Sequence, residues 1–328
     1  MAKAICADKP GGFEVLEWRD IPTPQLSPGE VLIHQTKVGL NFIDVYMTSG
    51  TYPFPEDGPQ IPGGEAAGII AQIGEGVDFF AVGDRVAYST PNGAYREERV
   101  LAADKLVKIP AGVSDEVAAA AMLKGMTVEY LLNRSFKVNH NHKVLFHAAA
   151  GGVGLIAGQW LKYLGAESIG TVGSDDKISL AKAAGFTHVI NYNNANFVDE
   201  VQDITNGYGV DVAYDSVGQA TYPHTLSCLK RFGLFVSFGQ SSGVIKNIAM
   251  SDLANNGSLY AQRPTLFNFI DTWESLSEVS GNMFQMIADG HLTMDINQRY
   301  PLKDVPIAFR ALLERKTTGA TVFDIGRD

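Results

Sequence analysis

The sequence feature that most constrains the fold is the stretch Lys143–Gly165, which reads KVLFHAAAGGVGLIAGQWLKYLG. It predicts a buried strand over Val144–Ala148, a turn with almost no side chains over Ala149–Gly154, and then a helix with apolar residues at helical spacing. In a parallel α/β sheet such a turn lets backbone N–H groups approach a pyrophosphate, whose charge the positive end of the helix favours. The stretch therefore predicts a dinucleotide-binding unit. The alternative is a glycine turn that only packs a helix on a sheet.

The rest of the chain shows two patterns. Residues 1–125 contain short alternating runs, many prolines and glycine turns, which predict the strands of a small β-barrel, followed by a helix from about Asp115 with Ser114 as its cap. From 126 to 263, strands alternate with helices, which predicts a doubly wound sheet of six parallel strands. After the first, these strands are expected at Ser168–Val172, Thr187–Asn191, Val210–Asp215, Gly233–Phe238 and Ser258–Ala261. Two helices and a closing strand are expected near 272–289, 305–315 and 320–325.

Length, cysteine content and charge limit the class of protein. A chain of 328 residues predicts two domains. Its two cysteines, Cys6 and Cys228, are too few and too distant for a disulfide framework, which favours a reducing compartment such as the cytoplasm. We expect neither a signal peptide nor a membrane span, because no apolar run is long enough. A formal net charge of −10 without a basic cluster disfavours nucleic acid as a partner.

Ordered motifs along almost the whole chain resemble the quinone oxidoreductases (zeta-crystallin family), which are zinc-free medium-chain dehydrogenases/reductases. The motifs are Leu145, Ala149–Gly152, Gly154, Gln159 and Lys162, together with NFIDVYMTSGTYP (41–53), PGGEAAG (62–68), GDRVAY (83–88), LKGMTVEYLL (123–132), YDSVG (214–218), VSFGQSSG (236–243) and YPLKD (300–304). The resemblance implies a GroES-like β-barrel catalytic domain formed by 1–125 and 264–328, and a Rossmann domain at 126–263. It also implies a cleft between the domains and a homodimer that pairs near Ser258–Ala261.

The second strand of the sheet bears on the choice of cofactor. A site that prefers NAD has an acid near its end to accept the ribose 2′-OH, whereas here the strand runs through Thr171 and Val172 into Gly173 and Ser174. Gly173 leaves room for a 2′-phosphate, Ser174 can donate to it, and Lys177 can pair with it. Asp175 and Asp176 add like charge nearby, and Lys177 has the alternative of being a solvated surface lysine. We predict NADPH.

Further nucleotide contacts are expected at the glycine turn, at the ends of other strands and where the resemblance places them. They are Asn41, Asp44, Tyr130, Ala150, Gly151, Gly152, Val153, Tyr192, Ser216, Phe238, Gly239, Ser241 and, with a one-residue offset from the family, Lys316. Packing at a strand end is an equal alternative for Tyr192, as is core packing for Tyr130, and Ser241 has the alternative of a plain turn former.

The resemblance implies that Asn41, Tyr46 and Tyr52 are the catalytic residues. Asn41 would hydrogen-bond the cofactor or a substrate oxygen, and the tyrosines would wall an aromatic slot for a quinone, with the barrel rim as their alternative role. Neither a cysteine run nor a histidine set matches a zinc site, and the close pair His140 and His142 is better explained as a solvated turn. We therefore predict metal-free reduction of small quinones by hydride or electron transfer. Reduction of activated carbon–carbon double bonds (enone or enoyl) and a non-catalytic nucleotide- or RNA-binding role, as in crystallin-like relatives, stay open.

Overall fold

The computed structural model describes residues 2–22, 25–53 and 58–326, and the chain forms two compact units. The first comprises Met1–Met126, Ile270–Ala288 and Met294–Asp328, and the second comprises Thr127–Phe269 and Asp289–Thr293. The chain thus returns to the first unit at Ile270, six residues later than expected. Asp289–Thr293 belongs to the second unit, where Gln159 Oε1 accepts from the backbone N–H of Thr293 at 2.8 Å.

Elements are numbered along the whole chain. Those of the first unit are β1 (Ala2–Cys6), β2 (Glu17–Ile21), β3 (Glu30–Gly39), α1 (Phe42–Thr48), β4 (Glu65–Ile73), β5 (Arg85–Ser89), β6 (Glu98–Ala102), β7 (Val107–Lys108), the start of α2 (Asp115–Tyr130), α8 (Trp273–Ala288), β14 (Ile296–Pro301), α9 (Val305–Leu313) and β15 (Ala320–Asp324). Those of the second are the end of α2, β8 (Lys143–Phe146), α3 (Gly152–Leu164), β9 (Glu167–Val172), α4 (Asp176–Ala183), β10 (His188–Asn191), α5 (Phe197–Ile204), β11 (Val210–Asp215), α6 (Tyr222–Leu226), β12 (Leu229–Ser237), α7 (Met250–Asn255) and β13 (Tyr260–Gln262).

The first unit is built on one long, mostly antiparallel sheet in the order β14-β15-β3-β4-β5-β7, with β6 also pairing with β3. β1 and β2 form a separate pair. The core under the sheet is apolar and includes Ile33, Val86, Phe309 and Phe323, all nearly inaccessible to solvent. This arrangement confirms the β-rich domain predicted from the alternating pattern. The predicted cap of α2 is also confirmed, because Ser114 Oγ accepts from the N–H of Val117 at 3.2 Å.

One helix of the first unit was not predicted. The segment after β3 forms α1, with Asn41 at its N-cap in an extended conformation and Asp44 in its first turn. The prolines that flank this segment pointed to turns, but a cap residue followed by seven residues without proline is sufficient for two helical turns. The helix positions Asn41 and Asp44 side by side.

The second unit holds six parallel strands in the order β10-β9-β8-β11-β12-β13. This is the doubly wound order in which the first strand, β8, lies at the point where the chain changes direction. The sequence-based fold class is therefore confirmed. Boundaries differ by a few residues: β12 begins at Leu229, four residues earlier than expected, and β13 begins at Tyr260, two residues later. Within the described part of the chain, no helix is long and apolar enough to cross a membrane.

Candidate functional site

The glycine turn after β8 is shaped by contacts between backbone atoms. A Cβ on Gly154 would lie 2.4 Å from the carbonyl oxygen of Ala148 and 2.6 Å from that of Ala149, so only glycine fits there. α3 starts at Gly152, earlier than the predicted turn end at Gly154. Gly151 is exposed, and the first N–H groups of α3 have no partners within the helix. The turn thus combines these helix N-terminal donors with glycines at 151, 152 and 154, which fits a pyrophosphate.

The two alanines that begin this turn differ in their surroundings, and packing explains the second. Ala148 adopts a left-handed conformation with φ of 57°, a position where glycine is more usual. Ala149 is fully buried, and a Cβ on Gly170 of the neighbouring strand β9 would lie 2.7 Å from the Ala149 methyl group. The methyl group at 149 therefore occupies space that a glycine on β9 leaves open.

The corner after β9 brings together most of the residues predicted to choose the cofactor. A Cβ on Gly173 would lie 2.5 Å from the Tyr192 hydroxyl, so Tyr192 lies directly over Gly173. Ser174 and Lys177 are half-buried, and the Lys177 N–H donates to the Ser174 carbonyl at 3.2 Å. Within residues 2–22, 25–53 and 58–326, Lys177 has no carboxylate partner. A lysine without a carboxylate partner and a serine three residues before it, both half-buried at this corner, fit a phosphate monoester.

The ends of β11 and β12 also meet. The Gly239 backbone lies against Ser216, since a Cβ there would be 2.7 Å from the Ser216 carbonyl oxygen, and the Ser241 N–H donates to that oxygen at 3.1 Å. Asp215 holds this loop, because its buried carboxylate accepts from the N–H of Val217 at 2.7 Å. Ser216, Phe238, Gly239 and Ser241 therefore lie beyond the carboxyl ends of β11 and β12, and their contact with a nucleotide stays a prediction.

Two predicted nucleotide contacts have other partners in the structure. The Tyr130 ring is buried and stacks on Phe269, with centroids 4.5 Å apart and an interplanar angle of 7°. Burial raises the pKa of its hydroxyl. This favours the packing alternative for Tyr130. Lys316 is exposed and forms an ion pair with Glu314 at 2.7 Å, so its predicted contact with the nucleotide stays a prediction.

In the first unit, Asn41 is held by a buried ion pair that the sequence analysis missed. Its side-chain Nδ2 donates to Glu65 Oε1 at 2.8 Å, and Lys124 Nζ lies at 2.8 Å from the same oxygen. Glu65 Oε2 accepts from the Leu123 N–H at 2.6 Å. Glu65 is fully buried and Lys124 is 5% exposed. Both residues lie in motifs that carried the family resemblance, which was the only available signal for them.

Asp44 supports Asn41 from the other side. It is fully buried, and its Oδ2 accepts from the Asn41 backbone N–H at 2.7 Å and from the Tyr95 hydroxyl at 2.7 Å. Its Oδ1 is buried without a hydrogen-bond partner. Burial raises the pKa of Asp44 to about 7, although the bonds from Tyr95 and Asn41 oppose that rise. Asp44 was predicted to contact the nucleotide, and its observed partners are Asn41 and Tyr95. The contact with the nucleotide stays a prediction.

The two predicted tyrosines are both accessible. Tyr46 is half-buried on α1 with its ring centroid 6.0 Å from that of Phe42, and Tyr52 is half-buried beyond the helix. Phe42 is 36% exposed. The rings of Phe42 and Tyr46 lie together on α1, directly after Asn41 in the sequence, whereas the aromatic slot that would include Tyr52 stays a prediction. No group of three or more His, Cys, Asp or Glu side chains within the described residues is placed to hold a metal ion.

The buried carboxyl of Asp44 predicts a pH effect on stability. Because its folded pKa of about 7 exceeds the usual 3.8, the folded protein binds this proton more tightly than the unfolded chain. The contribution of Asp44 to the free energy of unfolding is therefore fully present below about pH 4 and is lost as the pH rises through about 7. The total loss is about 4 kcal/mol.

The variant Asp44→Asn, whose amide oxygen still accepts from Asn41 and Tyr95, should lack this dependence. Urea unfolding between pH 4 and pH 8 measures it: the free energies of unfolding of wild type and variant should diverge with pH. Parallel curves would show that the carboxyl does not titrate in this range.

Comparison with known proteins gives matches over the whole chain. Residues 27–111 match the family described as alcohol dehydrogenase GroES-like domain, and residues 152–279 match the one described as zinc-binding dehydrogenase. A quinone oxidoreductase of Pseudomonas aeruginosa is 45% identical, covering 98% of this chain and 99% of the relative. The crystal structure of Escherichia coli quinone oxidoreductase complexed with NADPH is 43% identical with a TM-score of 0.95, covering 99% of this chain and 100% of that chain. A 2-haloacrylate reductase of Burkholderia sp is 38% identical over 98% of both chains.

Proposed function

Since the chain belongs to the quinone oxidoreductase family of the medium-chain dehydrogenases/reductases, we propose that it reduces small quinones with NADPH. The observation that carries this proposal is the full-length similarity to quinone oxidoreductases, one of which has a solved structure with NADPH. The second unit fits that cofactor: the turn that admits no Cβ at Gly154 would hold the pyrophosphate, and Lys177 with Ser174 would hold the 2′-phosphate. When bound, NADPH supplies a hydride to the substrate.

Residues of the first unit serve the substrate in this proposal. The ion pair of Glu65 and Lys124 fixes the plane of the Asn41 carboxamide, which hydrogen-bonds cofactor or substrate oxygen. Tyr46 and Tyr52 stack on the quinone ring and donate to its oxygens. The reduced ring is a delocalised phenolate that takes its proton from solvent, so the reaction needs no strong general acid. Orientation and exclusion of water then supply most of the rate.

A second candidate function is reduction of an activated carbon–carbon double bond. The 38% identity to a 2-haloacrylate reductase supports this second function. It requires a donor to an enolate oxygen, a role open to Asn41 or Tyr52.

Steady-state kinetics with 1,2-naphthoquinone, benzoquinone and an α,β-enone test these functions. With NADPH, we expect efficient turnover of a quinone and a lower kcat/KM for the enone. A higher kcat/KM for the enone would establish the second candidate. A preference for NADH would remove the cofactor assignment, and absence of turnover with either substrate class would remove the enzymatic proposal.

Assembly and compartment follow as finer proposals. β13 is an edge strand with exposed Tyr260 and Ala261, which suits pairing with a second copy of the chain. A monomer mass in light scattering would contradict this homodimer. Both cysteines are buried and free, in keeping with a cytoplasmic enzyme, and cell fractionation tests that location.

A further inference from the structure

Asp175 stands where this fold recognises the ribose 2′ position. It lies in the corner after β9, two residues beyond Gly173. A free carboxylate in that region accepts the 2′-OH of NADH and repels a 2′-phosphate, which carries a charge of roughly −1.5 to −2. For a protein that uses NADPH, this side chain is therefore unfavourable unless its carboxylate is held elsewhere.

The structure shows it held by two asparagines. Asn191 Nδ2 donates to Asp175 Oδ1 at 2.7 Å, and Asn194 Nδ2 donates to Oδ1 at 2.9 Å and to Oδ2 at 3.1 Å. We call this set of three hydrogen bonds the asparagine clasp. Both carboxylate oxygens of Asp175 are engaged by it, on the side of the corner that faces the end of β10.

The clasp has a rigid base. Asn191 is the last residue of β10, is only 8% exposed and pairs with Val172, the last residue of β9. Asn193 extends the same attachment, because its Nδ2 donates to the Gly173 carbonyl oxygen at 2.6 Å. The turn after β10 thus fixes both the backbone of the corner and the orientation of its acidic side chain.

We propose that the asparagine clasp is a specificity device: it turns the Asp175 carboxylate away from the nucleotide and leaves Ser174 and Lys177 to bind a 2′-phosphate. The inference rests on the proposed use of NADPH and adds Asn191, Asn194 and Asp175 to the residues that determine it. Without the clasp, the carboxylate is free to turn toward the ribose, where it opposes the phosphate and accepts a 2′-OH.

Calorimetric binding of 2′,5′-ADP and of 5′-AMP to the full chain tests this without any catalysis, because the two ligands differ only in the 2′-phosphate. The variants are N191A/N194A, D175N, and the triple combination, which form a double-mutant cycle. N194A alone guards against a folding defect, since Asn194 is exposed and provides two of the three bonds. We expect N191A/N194A to bind 2′,5′-ADP about tenfold more weakly. Binding of 5′-AMP should be unchanged or tighter, and N194A should show a smaller shift in the same direction.

Variants that lack the Asp175 carboxylate show whether the asparagines act through Asp175 or independently of it. D175N should bind 2′,5′-ADP within about twofold of wild type, and adding N191A/N194A to it should cause no further loss. A loss that persists in the D175N background would mean that the asparagines act independently of Asp175 and would overturn the proposal. So would an unchanged ratio of the two affinities in N191A/N194A. Failure of the proposed function appears separately, as a wild-type protein that binds neither NADPH nor 2′,5′-ADP.

Discussion

The variant Gly154→Ala should bind NADPH about a hundredfold more weakly than wild type. The added methyl group would lie 2.4 Å and 2.6 Å from two backbone carbonyl oxygens, neither of which can move without opening the turn between β8 and α3. That shift displaces the N–H groups expected to hold the pyrophosphate. Calorimetry measures the affinity, and the unfolding temperature should fall as well, because the strain belongs to the folded state.

The matched control is Gly281→Ala on α8. A Cβ there meets no atom within 4 Å, and the position is inside a helix. This variant should leave NADPH binding unchanged and gain about 0.5–1 kcal/mol of stability. Wild-type affinity in Gly154→Ala would contradict the assignment of the turn to the nucleotide.

The variant Lys124→Met should destabilise the protein by about 3–5 kcal/mol. Removing the ammonium leaves the fully buried carboxylate of Glu65 without a counter-charge, with only neutral donors from Asn41 and Leu123. Adding Glu65→Gln should recover much of this loss, because the glutamine oxygen is neutral and still accepts a hydrogen bond. Urea unfolding of the two variants measures both effects.

A surface ion pair serves as the control for this prediction. Lys3 and Asp20 are 3.0 Å apart with side chains 42% and 54% exposed, and Lys3→Met should cost less than about 1 kcal/mol. If Lys124→Met costs no more than Lys3→Met, the Glu65 carboxylate is not effectively buried. Its role in fixing Asn41 would then need another explanation.

The parts of this protein that could be predicted from sequence are those with a local signal. The glycine turn and the alternation of strands and helices gave the six-stranded sheet, and the order of its strands followed from the fold. The corner with Gly173, Ser174 and Lys177 was identified because its residues lie within a few positions of one strand end. In each case the residues that act together are also neighbours in the chain or end neighbouring strands.

The parts that could not be predicted depend on distant residues. Glu65 and Lys124 are 59 positions apart, and in a local pattern charged residues indicate a solvated surface. The bond between Asp44 and Tyr95 spans 51 positions. Asp175 was recognised as a conflicting charge, but the side chains that bind its carboxylate lie at the end of the next strand (Asn191) and in the turn after it (Asn194). Only tertiary structure supplies such partners.

The contact between Ala149 and Gly170 links two positions that would otherwise vary independently. One methyl group fits between the turn after β8 and strand β9, and the structure places it on Ala149 in the turn. Glycine in place of Ala149 removes the tightest contact of an alanine at position 170 and leaves the Phe186 ring at 3.1 Å, which needs only a small shift, whereas methyl groups at both positions would collide. An alignment of this family should therefore show covariation at the pair, with the methyl group exchanged between the turn and β9 and the combined volume preserved.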